Sequence, residues 1–326
     1  VSALDVTRRP LVLAAAYMLD AVLGDPERPT HPARLMGRVI EVYEKEVRRR
    51  LPGEVGSPRR AQAELNAGRV LAVGLPASVF LATAAVLRIL PRWMRPIGEV
   101  WLVSTALAGT ELARSAQRVQ AGLDESLDEG RRAVSMIVSR DTEAMTEVDV
   151  VRSAVESVAE NTSDAVVSPL LFATIGGAPL ALAFKAVSTL DSMVGYKNER
   201  YVNLGRASAL SDDAANLIPA RLTALLALAA EGRGRVEARA AWVERVHHAS
   251  PNAGLVEASF AHALGVRLGG PVVYDGIVVE RPALGGPTAG PPTRADLPRV
   301  ASLSRRVGVL TLGLSLALLF LRGGRR

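Results

Sequence analysis

Apolar and polar stretches alternate along this chain in blocks longer than the turns of a soluble helix or the steps of a strand. Uncharged or nearly uncharged runs fall at 11–19, 70–87, 100–110, 165–184, 222–230 and 307–321. The runs 70–87 and 165–184 are long enough to cross a hydrocarbon core unaided. The run 307–321 spans with help from Arg306 and Arg322, whose stems follow lipid while their charges stay at the interface. The other three need polar neighbours inside a bundle. This pattern predicts an all-α fold, a polytopic integral membrane helical bundle of roughly four to six membrane helices. It is read as a single membrane-embedded domain over 1–326, with polar segments at about 111–164 and 231–306.

In the first polar segment Val148, Val151, Val155 and Val158 share one helical face. The second opens with a helical run through Ala240-Ala241-Trp242, then turns Gly- and Pro-rich over 250–298, which predicts ordered loops. Arg8-Arg9 followed by 11–19 imitates a signal peptide. Asp20 and Gly24-Asp25-Pro26 interrupt it, so the segment is expected to be retained.

Composition sharpens this picture. Hydrophobic residues make up 49% of the 326 and charged ones 22%, so apolar spans alternate with substantial polar parts. Aromatics are only 4%, which argues against base-stacking platforms. Cysteine is absent, excluding disulfides, thiolate nucleophiles and Cys-ligated metal centres. The net charge of +6 comes from arginines that flank the apolar runs, a distribution suited to anionic lipid and not to nucleic acid. Basic residues lie on both sides of these runs and leave the orientation unset. No P-loop, dinucleotide fingerprint, zincin or nucleophile-elbow motif occurs, so any nucleotide site must be of another kind.

The candidate chemistry crowds around the run 165–184. Glu156, Glu160, Asn161 and Asp164 precede it; Lys185, Asp191, Lys197, Asn198, Glu199 and Arg200 follow. Charge beside lipid is costly and usually kept for a task. A 100° step places Asp149, Ser153, Glu156, Glu160 and Asp164 on one side, opposite the valines. A solvated face accounts for that spacing. Three successive acids without a matching base repel one another, however, and a divalent cation carrying a nucleotide would relieve the repulsion. Asp212 and Asp213 with Asn216 form a second oxygen cluster, equally readable as the cap of a helix over 214–229. Asp25 and His31 sit in a polar turn, where a lone histidine is more often structural than functional. Ser250, Asn252 and Gly254 could offer backbone N–H groups to a phosphate, although a generic loop has the same composition.

Four stretches in this order carry a specific resemblance: LDAVLGDPERPTHPARLMGRVI, SRDTEAMTEVDVVRSAVESVAENTSDAVVSPLLFA, FKAVSTLDSMVGYKNERYVNLGRASALSDDAANLIPARLTAL and HASPNAGLVEASFAHALGVRLGGPVVYDG. They cover Leu19 to Gly276 and resemble the membrane-bound adenosylcobinamide-phosphate synthase (cobinamide synthase) family, CobD/CbiB; the tail after Gly286 carries none of it. The resemblance implies ATP- and Mg2+-dependent amide formation between adenosylcobyric acid and (R)-1-amino-2-propanol or its O-phosphate. It also implies a multi-pass plasma-membrane protein with active groups on the cytoplasmic side, touching lipid and other cobalamin-pathway enzymes. On the matching positions Glu156, Glu160, Asn161 and Asp164 would bind Mg-ATP, with Asp212 and Asp213 as rival metal ligands. Lys185, Lys197 and Arg200 would meet phosphates, with Lys185 and Asp191 among the catalytic groups. Asp25 and His31 would orient the amine or take its proton, and Ser250, Asn252 and Gly254 would position a substrate. A non-catalytic corrinoid-binding or transport protein is the alternative; it predicts inverted repeats, which the sequence does not display.

Overall fold

The computed structural model describes residues 9–24, 31–54, 56–248 and 250–323, apart from the His247 side chain. Among them the chain runs α1 (Arg9–Leu23), α2 (Pro32–Arg50), α3 (Pro58–Ile89), α4 (Arg95–Ser104), α5 (Gly109–Glu125), α6 (Leu127–Ser135) and α7 (Glu147–Thr162). A π-helical turn, Ser163–Val167, leads into α8 (Ser168–Val194), α9 (Arg206–Ala215), α10 (Leu217–Ala230), α11 (Arg235–Glu244) and α12 (Ala253–Leu264). An antiparallel hairpin, β1 (Leu268–Tyr274) and β2 (Ile277–Leu284), and the long α13 (Asp296–Gly323) complete it. The fold is therefore all-α with one small sheet. Three stretches are long and apolar enough to cross a membrane: Pro58–Ile89, Glu147–Val194 and Asp296–Gly323; the bent pair α9–α10 makes a fourth if counted as one span.

Where the sequence reading treats the chain as one domain, its contacts gather into two compact units. Unit 1 holds Val1–Leu107, Ser168–Asn216 and Ser315–Arg326; unit 2 holds Ala108–Val167 and Leu217–Leu314.

In unit 1, α3 and α8 pack together, and α1, α2, α4 and α9 also pack against α8. The outer face of α3 leaves Val70, Val73, Leu81 and Ile89 exposed, as a lipid-facing helix would. By contrast α8 is largely buried. It breaks at Gly177, whose φ of 68° and ψ of −163° are open to glycine and closed to bulkier residues. The Glu99 carboxylate of α4 accepts the Ala178 N–H there, capping the second half of the helix. Polar ties fix the other end: Arg60 donates to Glu64 at 3.2 Å and to the carbonyls of Leu51 and Arg48 at 2.7 and 3.1 Å.

Unit 2 is built around α7 and α12. A Thr146–Asp149 capping box starts α7. Of the valine stripe, Val151, Val155 and Val158 are buried while Val148 is exposed. Helix α12, AGLVEASFAHAL, is buried on nearly every side. Such a segment shows no apolar stripe, which is why the expected loop over 250–298 is instead a core helix followed by a hairpin. The hairpin turn is Asp275-Gly276, with φ of 50° and 75°, the dipeptide that two-residue turns favour.

Candidate active site

The middle of the acidic face of α7 is not solvated. Ser153 and Glu156 are buried, and Glu156 becomes the hub of a charged cluster in unit 2. Its Oε1 accepts the Gly269 N–H at 2.7 Å. Its Oε2 accepts from Arg140 Nη1 at 2.8 Å and from Arg281 Nη1 at 3.4 Å. Arg281 also reaches Glu257 Oε1 at 3.1 Å and touches His248 Nε2. The side chains of Arg140 and Glu156 are 8% and 2% exposed, those of His248 and Glu257 6% and 1%. Each element supplies its part for a local reason. Arg140 lies in the stretch before the α7 cap, Glu257 is the one acid of α12, and His248 precedes its first turn. Gly269 and Gly270, at φ of 77° and 89°, bring the β1 backbone onto α7.

At His248, Glu257 and Arg281 burial disfavours the charged form, and the partners outweigh it. Burial pulls the His248 pKa down, yet the hydrogen bond and charge of Glu257 hold it above the ordinary histidine value. Burial pushes Glu257 up, while the His248 hydrogen bond and Arg281 bring it below the usual carboxylate value. Arg281 is held above its usual value by Glu257 and Glu156 against its own burial. Glu160, one turn beyond Glu156, is exposed on the same face. Beside the cluster opens a groove of about 750 Å³ whose lining includes Arg140, Asp141, Arg152, Ser153, Val272 and Asp275. Asp141 ties its rim, bonding the Val273 carbonyl through its N–H and the Gly276 N–H through its carboxylate.

Other expected site residues fare differently. Asp25 lies outside the described residues. His31 caps α2, its Nδ1 accepting the Ala33 N–H at 3.3 Å, and so has a structural post. Asn161 donates to the Ser157 carbonyl. The expected Glu156–Glu160–Asp164 metal group is not assembled: Glu156 spends both oxygens on Gly269 and the arginines, and Asp164 enters the π turn, where the 100° step fails. Among the described residues no three acidic or histidine side chains are placed to share a metal.

In unit 1, Lys185 and Asp191 are half-buried on α8, and the Asp213 charge is felt at Asp191. Asp212 and Asp213 lie late in α9 instead of opening a helix at 214; Asp212 accepts from Asn216 at 3.0 Å. Lys197 is exposed. Arg200 is committed to Glu44, donating at 2.8 and 3.0 Å, which with Arg48 lowers the Glu44 pKa despite burial. In unit 2, Ser250 Oγ receives the N–H groups of Asn252 and Ala253, and Asn252 Oδ1 accepts from Arg221 at 3.2 Å. Gly254 has its own reason: a Cβ there would lie 2.4 Å from that of His248. Sequence reasoning missed Arg140, Glu257 and Arg281. Glu257, a lone acid in an apolar helix, was the signal on offer.

These features define a helical membrane protein whose smaller-sheet unit buries a balanced cluster of carboxylates, arginines and a histidine beside an open groove. The chain belongs to the CobD/CbiB family of cobalamin biosynthesis proteins: the family model for CobD/Cbib protein matches residues 13–304. It is 41% identical over 312 residues to the cobalamin biosynthesis protein CbiB of Salmonella typhi, covering 94% of this chain and 96% of that one. Identity to the cobalamin biosynthesis protein CobD of Geobacter metallireducens is 45% over 288 residues, covering 86% and 88%. For CobD of Klebsiella pneumoniae it is 41% over 320 residues, 97% of each chain. No solved structure matches the chain.

Proposed function

We propose that this protein is an ATP-dependent amide ligase of the plasma membrane, acting from the cytoplasmic side. It would join a propionate carboxylate of adenosylcobyric acid to (R)-1-amino-2-propanol O-phosphate, or to the free amino alcohol. The observation that supports this most is the Glu156 cluster: buried charges fixed at 2.7–2.8 Å beside a groove of about 750 Å³, in a chain of this family.

A carboxylate is a poor acyl donor and must be activated. In the simplest route its oxygen bonds to the γ-phosphorus of ATP as the β–γ bridge breaks, leaving ADP. The amine then attacks the acyl carbon, phosphate departs with the C–O electron pair, and the ammonium proton passes to a base. Glu160, exposed on the face shared with the cluster, is the carboxylate suited to take that proton. Arg140, on the groove lining, suits a substrate carboxylate or phosphoryl oxygen. Glu156 and Glu257 hold the arginines in place.

The α7 trio does not fit a metal, since Glu156 is saturated. Magnesium keeps most of its waters and takes only one or two carboxylates, so it can arrive with the nucleotide without a cage of protein ligands. Bound with ATP it would neutralise phosphoryl charge.

The test is detergent-purified protein given adenosylcobyric acid, the phosphorylated amine and MgATP, with mass detection of the corrinoid. The expected result is a mass gain of one amide bond, abolished by EDTA and in Glu160→Gln. Saturable corrinoid binding without product would refute the ligase in favour of a binding or transport role.

A further inference from the structure

Away from the Glu156 cluster, unit 2 carries two arginines with no acid beside them. The Arg221 and Arg245 guanidinium carbons lie 5.6 and 3.8 Å from the centre of one Trp242 ring. Arg221 Nη1 donates to the Leu217 carbonyl and to Asn252 Oδ1. Arg245 Nε is buried without a hydrogen-bond partner. Among the described residues neither arginine forms an ion pair, and the Arg245 charge is felt at Arg221. Elsewhere in the unit Arg140, Arg281, Arg294 and Arg299 each meet a carboxylate at 3.1 Å or closer.

Holding two like charges against one ring is unfavourable unless something negative joins them. The surroundings supply what such a guest needs. Both guanidinium groups lie over the one indole ring, a cation–π arrangement that holds them side by side. Asn252, bonded to Arg221, is the residue before α12, so the positive end of that twelve-residue helix dipole adds to the same spot. Trp242 is 46% exposed, so the place is open to a ligand. A planar, twofold hydrogen-bonding cation pair at a helix start is the chemistry that receives a phosphoryl dianion.

We propose that Arg221 and Arg245, held by Trp242 at the start of α12, form a phosphoryl-binding subsite of unit 2. The ligand class is a phosphate ester, which two sources share: a soluble phosphorylated substrate or nucleotide, and a phospholipid headgroup. The subsite rests on the ligase reading only for which soluble ester it would hold. Its binding can be read without corrinoid or turnover, so the two ideas fail separately.

The experiment measures binding of inorganic phosphate, ATP and O-phosphoethanolamine to the detergent-purified full chain, by calorimetry at fixed ionic strength. A parallel arm compares melting in nanodiscs of phosphatidylglycerol and of phosphatidylcholine. We expect saturable phosphate binding, weakened at least tenfold in both Arg221→Gln and Arg245→Gln. Tighter binding of the soluble esters than of phosphate identifies a soluble source; stabilisation specific to phosphatidylglycerol and lost in the variants identifies a headgroup. Arg245→Lys, which keeps the charge, is expected to retain part of the affinity and guards against a folding defect. Unchanged affinity in both Gln variants, or no saturable phosphoryl binding in either arm, overturns the proposal.

Discussion

Replacing Glu156 by Gln preserves shape and removes one charge from the centre of unit 2. The Gln oxygen can still accept the Gly269 N–H, but the side-chain amide then presents N–H donors to Arg140, itself a donor. Arg281 keeps Glu257 at 3.1 Å, whereas Arg140, with its side chain 8% exposed, loses its one carboxylate partner among the described residues. Removing one member of a buried pair costs about 3–5 kcal/mol, because the remaining charge is left uncompensated. That is a large part of a total stability of roughly 5–15 kcal/mol. Denaturant unfolding in detergent, followed by tryptophan fluorescence, measures it. Of the three tryptophans only Trp242 lies in unit 2, so a Trp93→Phe/Trp101→Phe background isolates the relevant signal. Adding Arg140→Gln should recover about 1–3 kcal/mol relative to the sum of the single changes. A Glu156→Gln protein within about 1 kcal/mol of wild type, or a strictly additive double variant, would refute the view that this charge organises the unit.

Two further outcomes follow from the geometry. His248 has its pKa raised on folding, so its contribution is complete below the ordinary histidine value and is lost as pH rises through the higher folded value. Melting of the wild type should therefore fall from neutral into alkaline pH, and a His248→Gln variant showing the same slope there would remove His248 as the cause. Gly177→Ala should lower the stability of unit 1 by about 1–3 kcal/mol from backbone strain alone. The new Cβ would also sit 2.4 Å from Glu99 Oε1, so a melting point equal to wild type would contradict the break in α8.

The spans were legible because length and lack of charge suffice: α3 and α13 contain the runs 70–87 and 307–321, and the π turn with α8 contains 165–184. The valine stripe of α7 was legible for the same reason of period. The burial of its opposite face was not, because that depends on Arg140, Gly269 and Arg281, up to 125 residues away from Glu156. Position along the chain showed Lys197 and Arg200 as neighbours of the acids, yet Glu44 of α2 claims Arg200. Helix α12 escaped because a segment buried all round has no amphipathic period, and its flanking Gly and Pro pointed to loops. The Asp275-Gly276 dipeptide is itself a hairpin-turn signal in the sequence.

Both units are stitched from separated lengths of chain, and this governs how the protein comes into being. During synthesis Glu156 emerges sixteen residues after Arg140, while Arg281 follows 125 residues after Glu156. At a ribosome pace of about 5–20 residues per second, Glu156 waits roughly 6–25 s for that second cation. In the interval α8 has to find its place beside lipid with an unfinished charged helix directly upstream. Until then Arg140 is the arginine at hand for Glu156, and a truncation ending before the hairpin removes Arg281 from that carboxylate while keeping Arg140.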